Sequence, residues 1–288
     1  MAIRETYNAG AAGDNIIRED LSDFVYNISP TETPVLQAAE WTTASSTIHD
    51  WVEDTLSAPA ANAKPEGAAL GTPANVSGGA RLSNYTQISD KTYGVSGTVE
   101  VVTKVGRDSE IAFGRAKSMR ELKTDIDFEI CTGGAKVAGS SGTARESAGL
   151  ASWVQNASRG GGAGADPSAF DGTVTDTKGT GRAFTETILN ETIEECWNEG
   201  GRPSLLVMGG KGRKEFRTFD GVGNTAANNT TRTDRADGTE HIKVPFLRPF
   251  QIIEFAKTGD SIEERVLAEW TLEVCNTYAH GLCADIDG

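Results

Sequence analysis

The clearest periodicity in the chain lies in "GRDSEIAFGRAKSMRELKTDIDFEICTGG", where Ile111, Arg115, Met119, Leu122, Ile126 and Ile130 recur at steps of three or four residues. That spacing predicts a helix of about seven turns, roughly 35 to 40 Å long. Asp108 or Ser109 caps its start, and Gly133 and Gly134 stop it. Arg120, Lys123, Asp125 and Glu129 fall on the opposite face, which reads as solvated or as an interface. A second helix is predicted in "RAFTETILNETIEECWNEGG", with Ile188, Leu189, Ile193, Cys196 and Trp197 turned inward and Gly200, Gly201 and Pro203 closing it. A third lies in "DNIIREDLSDFVYNIS", with Ile17, Leu21, Phe24 and Ile28 on one side and Asp14 or Asn15 as cap. It must stop before Pro30 and Pro34, which hold the chain extended.

A period of two takes over elsewhere. Val266, Ala268, Trp270, Leu272 and Val274 share one face of a strand, with Arg265, Glu269, Thr271 and Glu273 on the other. Its hairpin partner is "FQIIEFA", and the bend is Lys257-Thr258-Gly259-Asp260-Ser261, with Gly259 as the residue able to take positive φ. Residues 46–104 read as two long strands around a loose tip: "STIHDWVEDTL" runs out and "LSNYTQISDKTYGVSGTVEVVT" returns, alternating at Val99 and Val101. The tip, "SAPAANAKPEGAALGTPANVSGGA", is small and nearly uncharged. A two-stranded ribbon is marginal alone, and residues 1–45 show no core-forming pattern outside their helix, so both segments need something outside themselves to lie on. Residues 137–183 are glycine-rich, with Leu150, Trp153 and Val154 pinning them to a core. "PSLLVMG" reads as a buried strand, "GGKGRKEFRTF" as a short basic helix and "GVGNTAANNTTRTDRADGTEH" as a polar surface loop. Helix, strand and helix in succession make an α+β layer.

Composition narrows what such a chain does. A length of 288 residues allows about two compact domains. The net charge of −14, spread along the chain, argues against a surface that grips phosphate backbones. No apolar run approaches the ~20 residues of a membrane span, and the N-terminus has no basic segment followed by an apolar one, which points to cytoplasmic synthesis. Cys131, Cys196, Cys275 and Cys283 lack metal-type or paired spacing and read as buried, reduced thiols. Glycine, at 33 of 288 residues against a usual ~7%, implies long loops.

Candidate chemistry is thin. Lys257-Thr258-Gly259 matches one mark of the serine β-lactamases, but no lysine has serine three residues before it, and Ser22-Asp23 and Ser89-Asp90 continue with Phe24 and Lys91 where asparagine is needed. "GGKGRKEF" lacks a phosphate-loop frame and reads as a turn and helix start. His49, His241 and His280 stand far apart, with no cysteine at nucleophile spacing. Asp285 and Asp287 have calcium-loop spacing but too little chain after them, so the end reads as a frayed tail. No catalytic, cofactor-binding or metal-ligating residue is assigned, and an enzyme, such as a soluble acidic hydrolase, is the weaker class.

An arm, a long ribbon, a long helix, a glycine-rich α+β region and a returning hairpin make sense together as a shell subunit. "ISPTETPVLQ", "MRELKTDIDFEICTG", "AGLASWVQNA", "FTETILNETIEECWNEGG" and "LRPFQIIEFAKTGDSIEERVLAEWTLEVCNTYAHG" occur in the order in which the chain resembles the major capsid proteins of tailed bacteriophages with the Hong Kong 97 type fold. The resemblance implies an α+β capsid fold: an N-terminal arm at 1–45, an extended loop at 46–104, and a peripheral domain at 105–149 and 246–288 that carries the spine helix and the C-terminal hairpin. An axial domain follows at 150–245. It implies self-assembly into pentamers and hexamers of an icosahedral or prolate head around double-stranded DNA bound without specific recognition. Portal, scaffolding and decoration proteins are further implied partners, with assembly in the host cytoplasm and residence in the virion. A nanocompartment shell of the same fold is the alternative. A Ser-Asp-Phe-Gly element that the resemblance calls for is missing between Phe219 and Pro245. Lys64 and Lys91 are the ribbon lysines that the type member's covalent cross-link would draw on.

Overall fold

The computed structural model describes residues 32–286 except 70, 72–77, 103–105, 107, 159, 161–163, 220–241 and 258. The helix expected over 14–29 and the polar loop 220–241 therefore lie outside the described residues. A mixed sheet forms the larger body, in the order β1 (Glu40–Thr43), β6 (Ile242–Glu254), β7 (Ser261–Trp270) and β4 (Gln87–Ser96). β1 runs parallel to β6, the other pairs are antiparallel, and β8 (Glu273–Val274) pairs with the start of β6.

The apolar face of the last segment is as read, but the strand breaks after Trp270, and Glu269, Thr271 and Glu273 of the other face are buried too. Val266, Ala268, Trp270, Leu272 and Val274 are all buried in one core, together with Leu122, Ile126 and Ile130 of α3 (Glu110–Thr132). The long helix is as its spacing predicted, with Ser109 Oγ accepting the Ala112 N–H and Gly133 at the C-cap. Its 23 residues span about 34 Å. Burial at α3 also takes in Asp127, whose carboxylate accepts the backbone N–H of Leu36 at 2.7 Å.

That bond corrects the reading of the arm. Pro34 does not hold the chain extended; it opens α1 (Pro34–Ala38) at the first helical turn, where its missing N–H costs nothing. Val35, Leu36 and Ala39 are buried in the main core. Residues 33–43 therefore belong to the body and need no outside support. Trp41 follows on β1, stacked on Phe246 and Phe250, with Lys123 of α3 over its ring.

The returning strand also differs from expectation. β2 (Ile48–Glu53) pairs with β3 (Ala80–Tyr85), but beyond Thr86 the chain leaves the ribbon and becomes β4, edge strand of the main sheet. Val99 and Val101 lie in a short helix, α2 (Gly97–Val101), capped by Ser96, where a strand was expected. β6 is longer than "FQIIEFA", because register shifts around Arg248 let it carry Pro249 without breaking the pairing. At the bend, Gly259 takes no positive φ; instead Gly97 donates its N–H to the Asp260 carbonyl and pins the turn.

A second core gathers Phe184, Leu189 and Phe219, with Met208, Phe216, Cys283 and Ile286 around them. α4 (Glu186–Asn198), capped by Thr185, and α5 (Gly210–Phe216) supply Leu189 and Phe216. β5 (Asn156–Ser158) pairs in parallel with β9 (Gly281–Cys283), so the C-terminal residues join this core and not the five-stranded sheet. Two expectations fail here. Ile193 and Trp197 are exposed on α4, and 203–209, including Leu205, Leu206 and Val207, is neither strand nor buried.

Candidate assembly surfaces

The functional surfaces follow from how the ribbon is mounted. Trp51 of β2 stacks on Trp153 with ring centroids 5.0 Å apart; Trp153 and Val154 are buried and Leu150 packs against the core, as expected of the residues that pin the loop. His49 Nε2 meets Glu273 Oε2 at 2.8 Å. Glu53 accepts the Thr277 N–H at 2.8 Å and the Thr277 hydroxyl at 3.1 Å. Lys136 donates to the carbonyls of Ser83 and Asp171, and Asn84 donates to Leu272 and Ser147. Both strands of the stem are thus tied to the body. Past Glu53 the described residues of 54–79 are all exposed or half-buried, and none is in a strand. The stem is fixed and the tip is offered outward.

Electrostatics at the stem reflect burial. Burial pushes the Glu53 carboxyl up, partly offset by the Thr277 donors. Burial also acts on Glu273, but His49 and Lys243 more than compensate and hold its carboxyl below the usual range. Burial lowers the Lys136 ammonium.

The described sequence candidates for chemistry occupy packing or surface positions. Ser89 Oγ accepts the Trp270 indole N–H, a packing role. Lys257 and Asp260 are exposed and unpaired with each other. His241 and Ser22 lie outside the described residues, and His280 is half-buried far along the chain from His49. Cys275 comes near the His49 pair through Glu273, whose carboxylate it approaches at 3.5 Å. Burial, with Glu273 beside it, pushes that thiol up to about 11, the reverse of what a nucleophile needs. The four cysteines are free thiols, but of the four read as buried only Cys196 is so: Cys275 and Cys283 are half-buried and Cys131 is exposed. Asp285 is no frayed tail: its carboxylate accepts the N–H groups of Gly160 and Gly179 and clamps the glycine-rich loop to the C-terminus. Lys91 is not on the ribbon but in β4, paired with Asp125 of α3 at 2.6 Å; Lys64 is exposed at the tip. Among the described residues no group of three His, Cys, Asp or Glu is placed to hold a metal ion. No described helix is long and apolar enough to cross a membrane.

A carboxylate that sequence reasoning missed locks the spine helix to the sheet. Glu264 of β7 accepts Arg115 Nε at 3.1 Å on one oxygen and Arg115 Nη2 at 2.5 Å on the other, with the Tyr93 hydroxyl as a third donor. The Arg115 guanidinium holds the Glu264 carboxyl below the usual carboxylate range. A depressed native pKa means stability that is complete above the unfolded value of ~4.3 and is lost as pH falls through the native one. The unassembled subunit should therefore weaken steadily in urea as pH drops below about 4.5. Glu264→Gln should flatten part of that slope and cost about 1–2 kcal/mol at neutral pH, discounted because Arg115 is half-exposed. Equal slopes in the two proteins would contradict the assignment.

A mixed sheet crossed by a long helix, with a two-stranded ribbon and a small second core, is the fold of phage shell subunits. The capsid of the native GTA particle superposes with a TM-score of 0.63 at 11% identity, covering 99% of this chain and 100% of that one. A Mycobacterium phage Adephagia chain gives 0.55 at 13% identity, covering 99% and 94%. The cyanophage A-1(L) capsid gives 0.57 at 12%, covering 94% and 97%. The fold is α+β of the Hong Kong 97 type. The family model described as SU10 major capsid protein matches residues 4–240 and 238–287, and the chain belongs to that family. No curated protein matches it. Its role is structural: it builds a viral capsid by self-association.

Proposed function

We propose that this chain is the repeating wall subunit of a phage head, icosahedral or prolate, closed from pentamers and hexamers around double-stranded DNA that the wall does not read. The observation that carries this is the ribbon, bound at its stem by Trp51, His49 and Glu53, with the described residues of 54–79 all exposed or half-buried. Such an element spends its stem contacts on orientation and keeps its tip for a neighbour. In this reading residues 1–45 begin the subunit as an arm, 46–104 include the extended loop, 105–149 and 246–288 form the peripheral domain and 150–245 the axial domain. The acidic balance suits a wall that encloses a duplex without holding it. Portal, scaffolding and decoration proteins are the further partners, with assembly in the host cytoplasm.

Purified chain viewed by negative-stain microscopy should give closed objects tens of nanometres across. A persistent 30.4 kDa monomer under all assembly conditions would overturn the reading. Replacing residues 57–79 by a short Gly-Ser turn should leave the subunit's melting temperature within about 2 °C, because the described tip residues bury little, and should abolish closed shells. Shells of normal yield from that variant would remove the ribbon from the mechanism.

A further inference from the structure

The side of α4 turned away from the second core is apolar where a solvated helix would be polar. Leu189, Thr192 and Cys196 face inward, while Ile193 is 44% exposed and Trp197, one turn further on, 61%. Exposed Glu191, Glu194, Glu195 and Glu199 surround them at spacings of three and four, where like charges repel along a helix. None of the four has an ion-pair partner among the described residues.

The stretch that leads into α5 has the same character with the opposite sign. Leu205 is 59% exposed, with Leu206 at 46% and Val207 at 44%. Lys211, Arg213, Lys214 and Arg217 follow, all exposed, crowded at the same spacings and equally without ion pairs among the described residues. Leu189 of α4 and Phe216 of α5 turn into one core, so the outward residues of the two helices do not meet within a subunit.

We propose that these surfaces are the two halves of one contact between copies of this chain, the α4 face of one subunit seated on 205–217 of the next. The inference rests on the reading of the chain as a shell subunit and names the surface by which its second core would join a ring. Two unlike patches on one subunit make a head-to-tail contact, the kind that closes into rings. Trp197 is the anchor, covering the exposed Leu205–Val207, and the glutamates meet the lysines and arginines around it. A second copy is the occupant because the two patches complement each other in charge and apolar character. With a net charge of −14, the strip at 211–217 is also a place where this chain attracts another of its kind.

Charge reversal tests the pairing, since Glu and Lys are equally good helix formers. One variant carries Glu191→Lys, Glu194→Lys and Glu195→Lys; a second carries Lys211→Glu, Arg213→Glu and Lys214→Glu; a third carries all six. Circular dichroism follows folding, and sedimentation with negative-stain microscopy follows capsomers. Each one-sided reversal should cut capsomer yield about tenfold or more, and the six-fold variant should recover most of it. Trp197→Ser gives an independent check, leaving the monomer's melting curve unchanged while lowering capsomer yield. Recovery absent in a folded six-fold variant, or Trp197→Ser assembling like the parent, overturns the contact. A parent chain that forms no oligomer overturns the shell reading as well, whereas a parent that assembles while the variants do the same overturns this contact alone.

Discussion

Trp153→Ala should cost about 3–5 kcal/mol of subunit stability and lower the melting temperature by roughly 10 °C. Trp153 has no exposed surface and touches three separate segments. It stacks on Trp51 of β2, carries the Lys136 ammonium 5.7 Å above its ring, and faces Gly172, whose positive φ of 77° leaves space that a Cβ would take at 2.5 Å from the indole. Truncation opens a cavity that these neighbours cannot fill, because Trp51 is held by β3 and Lys136 by two carbonyls. Trp153→Phe should lose about 1–2 kcal/mol, since it keeps a ring at the same place and removes an indole N–H that finds no partner within the described chain. Urea unfolding of unassembled subunit measures both. The alanine variant should also loosen the ribbon, seen as faster hydrogen exchange at 48–53 and 80–85. A full loss of stability with unchanged exchange there would separate the core role of Trp153 from its role as the ribbon's mount.

Much of this body was legible in the chain. α3 announced itself because its buried stripe and its caps agree, and the last segment because every second residue from Val266 to Val274 enters one core. What stayed hidden divides into two physical classes. Asp127, Glu264, Glu269 and Glu273 are buried carboxylates, and a polarity pattern puts such residues outside; their donors lie up to 224 residues away in sequence, so no local signal marks them. Pro34 was misleading in the same way, because its tolerance depends on a first-turn position that tertiary context supplies.

The second class is the apolar residue that is real but not internal. Ile193, Trp197 and Leu205–Val207 read as core, since an apolar letter reports that a residue is buried somewhere without saying in which molecule. For a protein whose working state is an assembly, that ambiguity is built into the sequence. It also explains why the sheet expected of the second core was placed on "PSLLVMG", while the pairing found there is β5 with β9 from the far end of the chain.

Glu269→Ala should destabilise the subunit by about 2–4 kcal/mol, more than its location on a strand's charged side suggests. The Glu269 side chain is 5% exposed and accepts Arg145, Arg248 at 2.7 Å and the Thr86 hydroxyl at 3.0 Å. Arg145 also donates to the Thr86 carbonyl, at the corner where the ribbon turns into β4. One carboxylate therefore neutralises two cations and holds three segments together, and its removal leaves both guanidinium groups facing a protein wall with no counter-charge. They are 31% and 41% exposed and regain part of their hydration, which keeps the expected cost below that of a fully buried triad. Glu269→Gln retains acceptors on one side only and should cost about half as much. Replacing all three, with Glu269→Leu, Arg145→Met and Arg248→Met, should recover a large part of the loss, because desolvation of the charges disappears along with their attraction. Urea midpoints at neutral pH, with and without ~1 M salt, distinguish this from a surface pair: the cost of Glu269→Ala should change little with salt, because the group is shielded from the ionic atmosphere. A cost that vanishes in high salt, or a triple variant no better than Glu269→Ala, would mean that the network owes its place to the shape it fills and not to the charges it balances.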